Sequence, residues 1–139
     1  MRFVAALALP AFVLGACRDP VEALTLPAVG DRFALTSVDG SSLPWGELSG
    51  PVLLADTIDV LASAPDERIL QQTLVVEGLA NQVIARNYAV GEDGVLRFFC
   101  PINAICNFSV FEGRLVGNEL TVKVIGPQPR EFRYVEVPS

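Results

Sequence analysis

The sequence predicts an all-β domain, most economically an eight-stranded antiparallel up-and-down barrel. Three observations carry that prediction. Residues 32–137 break into eight short runs rich in β-branched and aromatic residues, each bounded by turn signals. No stretch between the runs shows a helical period. The connections are mostly short, which pairs neighbouring strands antiparallel in chain order. Eight meandering strands lose their exposed edges by closing on themselves. A two-sheet β-sandwich fits the same pattern without closure.

The runs follow in order. Residues 32–38 (RFALTSV) alternate and end at Asp39-Gly40, a strong hairpin dipeptide. Residues 41–50 read as a loop holding Pro44, Trp45 and two glycines. Residues 52–61 (VLLADTIDVL) form the second run and stop at Ala64-Pro65-Asp66. Residues 68–77 (RILQQTLVVE) end at Gly78, and 82–90 (QVIARNYAV) end at Gly91-Glu92-Asp93-Gly94. Residues 95–100 (VLRFFC) are short and aromatic; residues 106–115 follow, with Gly113 as an expected bulge or bend. Gly117-Asn118 turns the chain into 119–125 (ELTVKVI). Gly126-Pro127-Gln128-Pro129 turns it again into 131–137 (EFRYVEV).

The start of the chain is of another kind. Met1-Arg2 is positive, residues 3–14 carry no charge, and Gly15-Ala16 are small, which describes a secretory signal peptide. A membrane-spanning helix needs about 20 apolar residues, and this run is too short and holds Pro10. Leu14-Gly15-Ala16-Cys17 resembles the bacterial lipobox, in which the cysteine becomes the mature N-terminus and carries lipid. The organisation that follows is a signal peptide over 1–16, a lipidated Cys17 with a tether over 17–30, and a β-barrel domain over 31–139. Multiple acyl chains anchor stably where a single one does not. The resemblance implies an exported, lipid-anchored protein of the bacterial cell envelope. Arg18, in place of an inner-membrane retention Asp, points to the outer membrane facing the periplasm. An incidental thiol after an ordinary signal is the alternative.

Composition narrows the chemistry. The whole chain carries a net charge of −6; residues 1–16 hold one Arg and no acid, so the remainder is −7. Such an acidic, evenly spread surface argues against nucleic acid as a partner. The chain has no histidine. That removes His-dependent nucleophile activation, imidazole acid–base work and His-ligated zinc. Asp56 and Asp59 fall on opposite faces of one strand, and Asp66-Glu67 and Glu92-Asp93 sit in turns, so no carboxylate pair suits glycoside cleavage. The expectation is a monomeric protein with no enzymatic activity, cofactor or metal.

Residues 33–40 (FALTSVDG) with Leu43-Pro44, and residues 112–122 (EGRLVGNELTV), resemble hairpins of small lipocalin-like bacterial lipoproteins. The resemblance implies a calycin-type barrel. The Gly-x-Trp motif of true lipocalins is missing, because Gly30-Asp31-Arg32 stands in its place.

Period-2 alternation places Val52, Leu54, Asp56, Ile58 and Val60 on one face, Leu70, Gln72, Leu74 and Val76 on another, and Ile84, Arg86, Tyr88 and Val90 on a third. Asp56, Gln72 and Arg86 thus fall among apolar neighbours, and a buried charge requires a partner, so an Asp56–Arg86 pair beside Gln72 is expected. Such a group serves either as a polar anchor for a ligand or as a self-satisfied structural network; the opposite register puts it in water. Phe33, Leu35, Tyr88, Phe98, Phe108, Phe132 and Tyr134 are the aromatic and aliphatic candidates to line a cavity. Cys100 and Cys106 bracket five residues and, after export to an oxidising compartment, would pair at a hairpin tip. So small a loop is worth about 2 kcal/mol. Their spacing and β context do not match a redox Cys-x-x-Cys.

Two functions remain. One is a membrane-anchored barrel binding a small apolar ligand. The other is a solid barrel contacting or inhibiting an envelope protein through loops 41–50 and 100–106, with Trp45 as the anchor, unless Trp45 packs over the barrel end as a lid. A cavity above roughly 300 Å³ favours the first, and a filled interior with a projecting Trp45 favours the second.

Overall fold

The computed structural model describes residues 23–104 and 109–138. The strands are β1 (Arg32–Val38), β2 (Ser41–Ser42), β3 (Leu53–Ala64), β4 (Glu67–Val76), β5 (Gln82–Val90), β6 (Leu96–Pro101), β7 (Ser109–Val116), β8 (Glu119–Val124) and β9 (Glu131–Val137). No helix occurs among the described residues. Each long strand pairs antiparallel with its chain neighbour, and β1 pairs with both β3 and β9. The sheet is therefore a closed eight-stranded antiparallel barrel, with β2 as a short extra strand. Closure answers the edge problem that an open meander would leave.

β2 lies inside the segment read as a loop. Asp39 and Gly40 both take positive φ (49° and 80°), the requirement of a type I′ turn, and this folds Ser41–Ser42 back onto Ser37 and Val38. β1 pairs with β3 only over Arg32–Ala34; beyond that point the two strands part. The strap after β2 fills the wedge, where Trp45 and Leu53 exchange both backbone hydrogen bonds at 2.9 and 2.7 Å.

The barrel has two unlike ends. At one, the β3–β4, β5–β6 and β7–β8 turns meet residues 24–31. Thr25 N–H donates to the Leu115 carbonyl at 2.7 Å, Gly30 N–H to that of Val60 at 3.0 Å, and Leu24 lies against Gly94. This half is packed solid by Phe33, Val60, Tyr88, Leu96, Leu115 and Leu120, all buried. The other end carries the strap and the loops after β4, β6 and β8.

Bulges adjust the predicted faces. The β3–β4 register shifts between Leu53 and Ala55 and again between Val60 and Ala62. The first shift turns Leu53 inward and leaves Leu54 exposed, which corrects the expected Val52–Leu54–Asp56 face. Gly113 is neither bulge nor bend: it stays in register opposite Leu96 and Val122. A Cβ there would stand 2.9 Å from the Phe98 ring, so the glycine makes room for that aromatic. The bulge between β6 and β7 falls at Phe98 and Phe99 instead.

Candidate functional site

The inward faces of β3, β4 and β5 carry one polar group each, on a diagonal. Asp56 lies opposite Leu74, Gln72 opposite Ile58 and Ile84, and Arg86 opposite Leu70, so each polar residue is two positions off its polar neighbour. Diagonal neighbours in a sheet are within reach of long side chains. Gln72 Nε2 donates to Asp56 Oδ2 at 2.8 Å. Tyr134 completes the group from β9: it sits opposite Leu35 of β1, in a row that leads to Asp56 where β1 and β3 part. Its hydroxyl donates to the same Asp56 Oδ2 at 2.7 Å.

Asp56 is 2% exposed. Burial pushes its carboxyl from 3.8 up to about 6, against the opposing pull of the Tyr134 and Gln72 hydrogen bonds and the positive field of Arg86. The Tyr134 phenol is held well above its ordinary value by burial and by the neighbouring carboxylate, so it stays a donor. Oδ1 of Asp56 has no hydrogen-bond partner among the described residues.

The expected Asp56–Arg86 ion pair does not form. Arg86 feels the Asp56 charge, but its Nη1 donates to the Phe99 carbonyl at 3.1 Å, and its guanidinium carbon stands 5.1 Å from the centre of the Phe111 ring. The physical reason is local. The β5–β6 register shifts just past Arg86, and Phe99 lies in that bulge with its carbonyl within reach. Nε of Arg86 likewise has no partner among the described residues.

These side chains line a cavity of about 180 Å³ that opens at the loop-rich end of the barrel. Its apolar wall comes from Leu53, Ile58, Leu70, Leu74, Phe98, Phe111, Val122 and Phe132, with Tyr134 and Gln72 beside Asp56 and Arg86. Of the residues singled out in the sequence, Asp56, Gln72, Arg86, Phe98, Phe132 and Tyr134 come together here. Tyr88 does not: it packs edge-on against Phe98, centroids 6.2 Å apart, in the solid half, and its hydroxyl donates to the Ala62 carbonyl at 3.3 Å. Phe33 and Leu35 also belong to the packed core and not to the cavity wall. Phe108, Cys106 and Cys17 lie outside the described residues. Phe111 was missed; its alternation with Gly113 and Leu115 was the available signal.

Trp45 is half-buried and packs on the core, as the lid reading of the sequence expects. Arg130 lies over its ring at 4.6 Å, donating also to Asp39 at 3.1 Å and to Glu47. A wider groove of about 480 Å³ runs along residues 83–85 and 101–103 on the outside of the barrel. No charged side chain lines it, so it lacks the convergent polar groups of the interior site.

The fold and the site together define a closed β-barrel with one pocketed end. Comparisons with protein-family models, curated proteins and solved structures each return no match.

Proposed function

We propose that the protein is a non-enzymatic binding module that holds one small ligand in the open end of its barrel. The observation that carries this is the interior cavity, apolar on most of its wall and polar at Asp56, Gln72, Arg86 and Tyr134. Its volume, about 180 Å³, lies below the roughly 300 Å³ at which drug-sized pockets begin. An apolar cavity of about 150 Å³ in another protein admits benzene. The ligand is therefore about one ring in size, far smaller than a long acyl chain.

The N-terminal pattern supports export and lipid attachment at Cys17, with delivery to the periplasmic face of the outer membrane. In that compartment Cys100 and Cys106 form a disulfide that clips the loop after β6. Native mass spectrometry of the protein purified from its own envelope tests the reading. A reproducible bound small molecule supports it, and repeated recovery of the bare chain sinks it. Mass analysis of the N-terminal peptide reads the lipid directly.

One observation favours a second reading, contact with an envelope protein. Each loop at the open end exposes one large apolar side chain, Leu48, Leu79, Ile102 or Ile125, and residues 24–31 at the closed end expose Leu26 and Val29. Cross-linking at Leu48 and Ile102 in intact cells distinguishes it, since a ligand carrier without a partner gives no specific adduct.

A further inference from the structure

We infer that the cavity selects an uncharged ligand whose polar group both donates and accepts a hydrogen bond, a carboxamide or a hydroxyl, carried on an apolar body of about one ring. This rests on the ligand-binding reading and names the chemistry of its site.

The argument starts from what the wall leaves unpaired. Asp56 is 2% exposed, and both hydrogen bonds it receives go to Oδ2. Oδ1 is an acceptor with no partner among the described residues. Arg86 spends Nη1 on the Phe99 carbonyl and presents its face to Phe111, while Nε is a donor with no partner among the described residues. Buried polar atoms are satisfied in the great majority of native proteins, so two orphan atoms on residues that line one cavity call for a partner reaching them from that cavity. One is an acceptor and the other a donor. A ligand group that completes both must offer an N–H or O–H to Asp56 and an oxygen to Arg86.

Charge decides between ligand classes. Among the described residues Asp56 and Arg86 are the only ionic ones lining the cavity, one acid and one base, so the site is already balanced. A carboxylate would pair with Arg86 but bring a second negative charge beside Asp56. An ammonium would pair with Asp56 and meet Arg86. In either case a charge is buried without compensation, which costs several kcal/mol in general. A neutral donor–acceptor group satisfies both orphans and leaves the balance intact. Gln72 and Tyr134 already donate to Asp56, and the rest of the wall is aliphatic and aromatic and suits an apolar body.

The test uses ligands of one shape and differing heads: benzamide, benzyl alcohol, benzoate, benzylammonium and toluene. Each is titrated into the full chain at pH 7.5, and binding is read by NMR at the Gln72 side-chain amide and the Phe98 ring. Benzamide and benzyl alcohol should bind at least about tenfold more tightly than the two ions and than toluene. Toluene or either ion binding as well as benzamide overturns the head-group assignment and leaves the cavity reading standing. No binding by any of the five overturns the cavity reading itself. Two variants sharpen the outcome. Asp56→Asn leaves Arg86 as the lone charge and should shift preference toward benzoate by about tenfold, and Arg86→Gln should shift it toward benzylammonium by as much. Unchanged preference in both folded variants overturns the charge-balance argument.

Discussion

The Tyr134 hydroxyl donates to Asp56 Oδ2 at 2.7 Å, joining the last strand of the barrel to the third across 78 positions of sequence. β1 lies between them but parts from β3 before that row, so this hydrogen bond ties the seam that backbone pairing leaves open. Tyr134→Phe keeps the ring and removes the bond. The expected loss at pH 7.5 is about 2 kcal/mol, as for hydrogen bonds to charged groups. The loss should shrink at pH 5, where the carboxyl carries its proton. Chemical denaturation at the two pH values checks both the size and the change.

Asp56 makes stability depend on pH in an unusual direction for a carboxylate. Burial raises its folded value from 3.8 to about 6, so the folded chain binds the proton more tightly than the unfolded chain. The stability this supplies is complete below about 4 and is lost as pH rises through 6. At about 1.4 kcal/mol per tenfold, the span amounts to about 3 kcal/mol. Asp56→Asn removes the dependence. Between pH 4 and pH 7.5 the stability difference should move by about 2 to 3 kcal/mol in favour of the variant. A difference that stays constant with pH would show that the carboxyl ionises as an exposed one does.

Gly113 sets the position of one cavity wall. A methyl group there would stand 2.9 Å from two atoms of the Phe98 ring and 3.4 Å from Leu120. Tyr88 blocks retreat toward the packed half, so the ring of a Gly113→Ala variant should move into the cavity. Overpacking of this kind costs about 1 to 3 kcal/mol. Benzamide affinity should fall at the same time, and titration alongside a melting curve measures the two together. Undiminished affinity would place the ligand elsewhere.

Arg130 holds the lid. Its guanidinium covers Trp45 and contacts Asp39 and Glu47, tying the strap to the loop after β8. Arg130→Ala should cost about 1 kcal/mol, the scale of a partly exposed cation–π contact and ion pair. The chain has a single tryptophan, so fluorescence reports the lid directly. Emission should move to longer wavelength. Arg130→Lys should restore it only in part, because an ammonium lacks the planar face that stacks. Emission unchanged in the alanine variant would show that the core alone seats Trp45.

Much of the barrel is legible in local patterns. Asp39-Gly40 and Gly117-Asn118 announce their turns, and β1, β5 and β9 begin and end where alternation does. Asp56, Gln72 and Arg86 were readable as inward residues because two-residue alternation holds across β4 and β5 and through the middle of β3. What escaped is non-local. Bulges at Leu53–Ala55 and Val60–Ala62 change the phase of β3 without any residue type to mark them. The partner of Arg86 is a backbone carbonyl placed by another bulge, so charge pairing alone pointed to the wrong contact. Gly113 looked like a break in a strand, because nothing local shows that Phe98 needs its space. The Asp56–Tyr134 bond depends on closure of the barrel through β1, which no window of sequence contains.

Residues 24–31 close one end of the barrel and the cavity opens at the other, which gives the molecule a direction. Chain upstream of Ala23 joins at the closed end. A lipid at Cys17, six residues earlier, would be held within about 20 Å of that end even on a fully extended chain. On such an anchor the mouth would lie at the end of the barrel remote from the bilayer. Ligand would arrive and leave through water, and its supply would follow aqueous solubility instead of partition into the anchoring membrane. A small neutral molecule with a polar head meets that condition, and a long acyl chain does not.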